Sequence, residues 1–379
     1  TDVAIDGKDY VVIKDGIIDI VTLRHGIRSN NNTTPLMGSI FVENGGIKII
    51  SEKHSLSANT NVVIEGGQLD LTAGGGSYAH VNRNNTSKGI RSSMDIFING
   101  GEITINSGAD GIHAKNNIEI NEGKISIKAG DDAITSLSTI TVNNGDIDIS
   151  DCYEGLEAGE IIINNGQIYI HSRDDGLNTV IKNKDVDLPL SIYGIKKLPT
   201  IDKTNIEING GYIFINSQGD GIDANGPIIM HDGTLIIHGP DSFLESAVDY
   251  LDSFEILNGF LVAIGPKVLA QVPSSEHPDS QVSIHIIFNS VVTTGTLFSI
   301  QDEEKNSLIT IKSLKPFESI LFSSPELKIN KRYPVLLGGE VEGRIKDTMF
   351  YNISKFTRIE TRKNFQITEK LTTIDFNNN

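Results

Sequence analysis

The stretch GDGIDANGPIIMHDGTLIIHGP, residues 219–240, decides the fold. An acid and a glycine lead into a short apolar strand. A turn then separates two further runs in which apolar and polar residues alternate. The same order returns in ADGIHAKNNIEINEGKISI (109–127) and DDAITSLSTITVNNGDIDI (131–149). Alternation with a period of two marks strands whose successive side chains face opposite ways, and it excludes helical repeats with their period of 3.6.

Working outward, the same unit recurs along most of the chain. Its turn glycines read as Gly46, Gly67, Gly101, Gly123, Gly145, Gly166, Gly211, Gly233 and Gly259, spaced 21, 34, 22, 22, 21, 45, 22 and 26 residues apart. A period of 21–22 residues with occasional insertions is the signature of a solenoid. Each unit holds two alternating strands about a Gly/Asn corner and a shorter third strand. The third strands centre on Ile27, Leu56, Ile90, Ile112, Ile134, Leu156, Leu177, Ile222 and Val248. Three strands per turn predict an all-β protein, a three-faced parallel β-helix. Asn44, Asn99, Asn121, Asn143, Asn164 and Asn209 recur at the corners, where stacked amides form a hydrogen-bonded ladder.

The expected organisation is a β-helix over residues 1–279, with degenerate rungs at 1–84 and insertions near 74–87 and 180–200. A small antiparallel β-module over 280–345 is expected to cap the last rung, and 346–379 reads as an edge strand or tail. Loops leaving one side of a rigid solenoid are where binding residues concentrate.

Composition narrows the function. With 49 acidic and 32 basic residues the net charge is −17, which disfavours nucleic acid and anionic membranes as partners. No run of about 18 apolar residues occurs, so membrane insertion is not expected. The single cysteine, Cys152, excludes an intrachain disulfide and reads as a small core residue. The chain opens on TDVAIDGKDY, so export is expected only with a signal segment already removed.

The acids follow the repeat. Two places before the central apolar residue of the third strand stand Lys88, Asp110, Asp132, Glu154, Asp175 and Asp220, with Asp131, Asp174, Asp151, Glu157 and Asp223 close by. Carboxylates on rungs roughly 4.8 Å apart repel by about 3 kcal/mol per pair at an effective dielectric of 20. Either some are protonated or hard divalent cations sit between rungs. Calcium takes six to eight oxygens from carboxylates, carbonyls and water, and no Cys/His cluster competes for a transition metal. The alternative, acids serving as turn-formers, explains one or two rungs better than five.

Other residues carry weaker signals. His113, His171, His231 and His238 read as solvent-exposed strand positions. Tyr78, Tyr153, Tyr169 and Tyr212 offer apolar faces for sugar rings or for ordinary packing. Arg28 and Arg91 lie outward on the acidic face, and Arg173 precedes Asp174–Asp175. Arg91, His113, Tyr153, Glu157 and Arg173 are the candidate carbohydrate-binding residues. An arginine beside calcium also suits a polysaccharide lyase, although no second base accompanies Arg173.

The rungs INGGEITINSGADGIHAKNNIEINEG, DCYEGLEAGEIIINNG and GDGIDANGPIIMHDGTLIIHGP resemble the bacterial carbohydrate-binding domain-containing protein family. So do SAVDYLDSFEILNGFLVAIG, QVPSS and ILFSSPEL, so that the resemblance runs from about 85 to about 340. It implies a secreted or cell-surface right-handed parallel β-helix similar to pectate lyases, with calcium between rungs. It also implies binding of plant cell-wall polysaccharides, pectic or cellulosic, without established catalysis. The family's calcium-bearing acids fall on Asp110, Asp131, Asp132, Glu154, Asp174, Asp175, Asp220 and Asp223. A monomeric calcium-dependent polysaccharide-binding protein is therefore expected. A pectate-type lyase and a surface spacer without glycan specificity remain the alternatives.

Overall fold

The computed structural model describes residues 3–34, 37–78, 86–180 and 204–376. The expected insertion near 180–200 lies, beyond residue 180, outside them. Within them every regular element is a strand. Two compact bodies are present. The first comprises Thr1–Gly166, Leu177–Glu207 and Ala224–Pro227; the second comprises Gln167–Gly176, Ile208–Asp223 and Ile228–Asn379.

The first body is a coil of three parallel sheets. One face stacks Ile90–Ser92, Ile112–Ala114 and Ile134–Ser136 in register, pairing Ile90 with Ile112 and Ile112 with Ile134. Ile27, Leu56, Leu156 and Leu177 extend this column without a slip. A second face stacks Ile96–Ile98, Ile118–Ile120 and Thr139–Val142. A third stacks Gln68–Ala73, Glu102–Ser107 and Lys124–Ala129. Inward residues such as Ile112, Ile118 and Ile125 are wholly buried. Each turn thus stacks its inward apolar side chains, two on a strand such as Ile118 and Ile120, on those of the last, at roughly 1.5–3 kcal/mol for each fully buried large residue.

The corners correct two details of the sequence reading. The left-handed glycine of the ENGG corner is Gly45 (φ 116°), not Gly46, which opens the strand Gly46–Ser51 opposite Gln68. A further such corner stands at Gly16 (φ 116°). Asn44 accordingly falls one residue outside the ladder. Asn121 Nδ2 donates to Asn99 Oδ1 at 2.8 Å, Asn143 to Asn121 at 2.6 Å and Asn164 to Asn143 at 2.6 Å. Asn99 ends the run by donating to Glu65 Oε1 at 3.0 Å.

In the second body, Gln167–Ser172, Tyr212–Ser217, Thr234–His238 and Phe260–Gly265 run parallel. Phe317–Ser323 then pairs antiparallel with Phe260–Gly265, and Ser283–Val292 and Leu371–Phe376 continue the sheet. A separate antiparallel sheet orders Glu340–Lys346, Met349–Thr357, Ser307–Lys312, Leu297–Gln301, Arg332–Leu337 and Thr361–Gln366. Of the segment expected as an edge strand or tail, Met349–Thr357 and Thr361–Gln366 belong to the antiparallel sheet and Leu371–Phe376 to the other. Outward positions that are polar in the first body become apolar here: Phe214, Ile236 and Val262 lie in one core with Phe298, Ile311 and Val335.

Candidate functional site

The chemistry lies along the face built from the third strands. Glycine stands before the apolar centre on six turns, at Gly26, Gly89, Gly111, Gly155, Gly176 and Gly221, and there the turns stack closely: a Cβ on Gly111 would come 2.5 Å from the Ala133 carbonyl oxygen. Backbone bonds from Gly89 N–H to Asp110 O (3.2 Å), Gly111 N–H to Asp132 O (2.9 Å) and Ala133 N–H to Glu154 O (2.9 Å) fix a corner column. Gly26 N–H to His54 O (3.1 Å) and Ser55 N–H to Lys88 O (3.2 Å) extend it backwards. The corner column of the first body is therefore His25, His54, Lys88, Asp110, Asp132 and Glu154. Beside it, strand register sets an outward column of Arg28, Ser57, Arg91, His113, Thr135, Glu157 and Asn178. Both columns change sign along the coil, from cationic to anionic.

Carboxyl oxygens of Asp110, Asp131 and Asp132 lie within 4.8 Å of one another, as do those of Asp132, Glu154 and Glu157. Burial pushes the Asp132 carboxyl far above the ordinary range, and a hydrogen bond and charge from Glu157 push it further. Thr135 Oγ1 donates to Glu157 Oε2 at 3.0 Å, and Asn178 Nδ2 donates to Glu154 Oε2 at 3.0 Å. Asp110 behaves differently. Its burial would raise the pKa, but the His113 hydrogen bond (2.8 Å) and the Lys88 charge outweigh burial and hold it below the ordinary value. Protein cations already compensate this acid.

The second body carries its own group. Oxygens of Asp220, Asp223 and Asp249 lie within 4.8 Å of one another. Asp175 Oδ1 accepts the Asp220 N–H at 2.7 Å, and Asp220 Oδ1 accepts the Ser246 N–H. Burial, then the neighbouring Asp174 charge, raises Asp175 to about 8. Burial raises Asp220 to about 7, against the Ser246 hydrogen bond and with help from Glu245. Asp223 is raised by burial and by Asp249 and Glu245. Negative charge in excess of its compensation, on hard oxygen donors close enough to share one ion, fits calcium at both groups better than at Asp110.

The expected carbohydrate-binding residues divide. Arg91, His113 and Glu157 share the outward column of the first body, with Tyr153 exposed nearby and bonded through its N–H to Asp131 O at 2.8 Å. Arg173 is exposed in the second body. Two histidines depart from the expected exposure. His238 is 1% exposed, bonded to Thr348 Oγ1 at 2.8 Å and driven down to about 3 by burial and by Lys315. His113 is partly buried on Asp110. Tyr169 and Tyr212 pack against the core of the second body. Lys346 lies 4.4 Å from the Tyr212 ring centre and Asp347 accepts its hydroxyl at 2.8 Å, which leaves no open sugar platform on that ring.

Three residues escaped the sequence reading. His25 and His54 precede Lys88 in the same column, and a search anchored on acids stops short of them. Asp249 follows its apolar centre as Glu157 and Asp223 follow theirs, but SAVDY lacks the preceding acid–glycine pair.

Residues 1–133 match the family model described as carbohydrate-binding domain-containing protein. That match supports a carbohydrate-binding role. It shares residues 85–133 with the motif-based resemblance at 85–340, adds the early rungs before them, and does not extend past residue 133. No match is found among curated proteins or among solved structures.

Proposed function

We propose that the protein is a calcium-dependent polysaccharide-binding protein of the cell surface or secreted fraction, directed to plant cell-wall glycans of the pectic type. The observation that carries this reading is the stacking of carboxylates from successive turns into groups whose oxygens lie within 4.8 Å. In the first body Asp132, Glu154 and Glu157 would hold one ion, with Asp131 beside them. In the second, Asp220, Asp223 and Asp249 would hold another, with Asp174 and Asp175 supporting. Calcium bound there neutralises the strip and offers its remaining coordination positions to sugar carboxylates and hydroxyls. A net charge of −17 would otherwise repel a polyuronate.

The test is retention on immobilised polygalacturonate and on cellulose, with calcium and with chelator. Calcium-dependent retention on polygalacturonate supports the reading. Retention on cellulose alone transfers specificity to neutral glycans, and equal retention with and without chelator removes calcium from recognition.

A further inference from the structure

Arg28, Lys88 and Arg91, at the cationic end of the strip, lie outside the carboxylate groups, and their charges are unevenly compensated. Arg28 is held by Asp6, with Nε to Oδ1 at 3.1 Å and Nη2 to Oδ2 at 2.7 Å. Lys88 and His113 are held by Asp110. Arg91 is not. Among the described residues it has no carboxylate partner, and its one protein hydrogen bond is a 3.5 Å contact from Nη1 to Ala58 O. A guanidinium carries five N–H donors, and this one is partly buried, where unmet donors are costly.

Its surroundings are shaped for an oxyanion. Ser57 is its register partner, so a small hydroxyl stands between the Arg28 and Arg91 side chains along the outward column. His25 and His54 stack on each other with ring centres 5.0 Å apart, and the Arg91 charge acts on both rings. His54 Nδ1 accepts the Lys88 N–H at 3.0 Å, so the neutral ring carries its proton on Nε2 as a donor. His25 Nδ1 is buried without a hydrogen-bond partner. Burial and the charges of Arg28, Lys53 and Arg91 hold His25 below its ordinary value, so the permanent positive charge here is that of the arginine and of exposed Lys53.

We infer that Arg91, with Ser57, Lys53 and the His25–His54 pair, forms a subsite for an oxyanion on a sugar, a carboxylate or a sulfate ester, separate from the carboxylate groups. The inference rests on the carbohydrate-binding reading and adds the charge of the sugar recognised at this end. A planar fork of donors suits a two-oxygen acceptor.

The experiment compares wild type, Arg91→Met and Arg91→Lys on immobilised polygalacturonate, a sulfated galactan and a neutral glucan, with calcium and with chelator. Arg91→Met is expected to weaken retention on one or both polyanions about tenfold. Arg91→Lys should restore part of it, and retention on the neutral glucan should not change. Which polyanion responds identifies the oxyanion. In parallel, phenylglyoxal modification of wild-type Arg91, read by peptide mass spectrometry, should be slowed by the responding polyanion and not by the neutral glucan. This readout does not depend on a variant folding.

The inference is overturned if Arg91→Met matches wild type on both polyanions in both buffers. Arg91 labelling indifferent to every polyanion overturns it too, as does wild-type retention on the neutral glucan alone. That last result leaves carbohydrate binding standing, whereas retention on none of the three overturns both readings.

Discussion

Asp175 Oδ1 accepts the backbone N–H of Asp220 at 2.7 Å, so the side chain of one turn fastens the main chain of the next. Asp220 repeats the arrangement toward Ser246. One oxygen of each acid is thus committed to the scaffold, which fixes where the rest of the carboxyl lies. The scaffold thereby holds the acids close together at a cost in charge repulsion.

That cost predicts a pH dependence. An acid whose pKa is higher in the folded chain than in the unfolded one contributes stability that is complete at low pH and is lost as pH rises through the folded value. Asp220 at about 7 and Asp175 at about 8 spread this loss from the unfolded value near 3.8 up to about pH 8, and the histidines do not oppose the part from pH 6.5 to 8. Below pH 6.5 the buried neutral His54 and His238, both near 3, act in the opposite direction, and Lys315, lowered to about 8, does so at higher pH. In chelator the melting temperature should fall by about 3 °C or more from pH 6.5 to 8. Saturating calcium, which binds the ionised form, should flatten the slope. A rise in melting temperature over that window without calcium would contradict the charge assignment.

Asp220→Asn separates repulsion from metal binding. The amide oxygen can still accept the Ser246 N–H while the charge is gone. Without metal at pH 8 the variant should melt about 2 °C or more above wild type. Its calcium-induced increase should be less than half that of wild type. Differential scanning calorimetry with and without calcium measures both.

The amide ladder is a stability element independent of the acids. Asn143 donates to Asn121 at 2.6 Å and accepts from Asn164 at 2.6 Å. Asn143→Ala removes both bonds, and a 3.3 Å bond from Nδ2 to Glu119 Oε1, and should cost about 1–3 kcal/mol, with no change in calcium response. Chemical denaturation at fixed calcium reads this.

Gly111→Ala tests the stacking of turns. The added methyl would stand 2.5 Å from the Ala133 carbonyl oxygen and 2.7 Å from Ile127 Cγ2, both fixed by the core. The expected loss is about 1–3 kcal/mol, the usual cost of overpacking. Loosened turns should also weaken calcium binding at Asp132 and Glu154, measurable by titration calorimetry.

Much of the coil was legible because its determinants are local. Alternation and a 22-residue period place Ile90, Ile112 and Ile134 in one column without knowledge of anything distant. The asparagine ladder was legible for the same reason, apart from Asn44, where two adjacent glycines left the register ambiguous by one residue. Burial imposed by distant chain was not legible. His238 and Tyr212 look like outward residues of ordinary rungs, yet residues 346–348 and the core of the second body enclose them. A trace did exist: TLIIH and FLVAI lose strict alternation where the outward face is covered. Compensation was legible in part: Lys88 stands before Asp110 in the column, whereas the His113 hydrogen bond that also lowers Asp110, and the Glu157 bond that raises Asp132, needed the folded side chains.

The direction of the amide ladder has one more consequence. Asn121, Asn143 and Asn164 each pass their N–H to the preceding turn and none the other way. Each winding therefore arrives with one donor and one acceptor, already matched to any neighbour of its kind. Duplicating or excising a complete winding leaves no orphaned group, whereas losing a single residue turns every following side chain to the wrong face. The length of such a molecule is free to change in whole windings while its cross-section stays fixed.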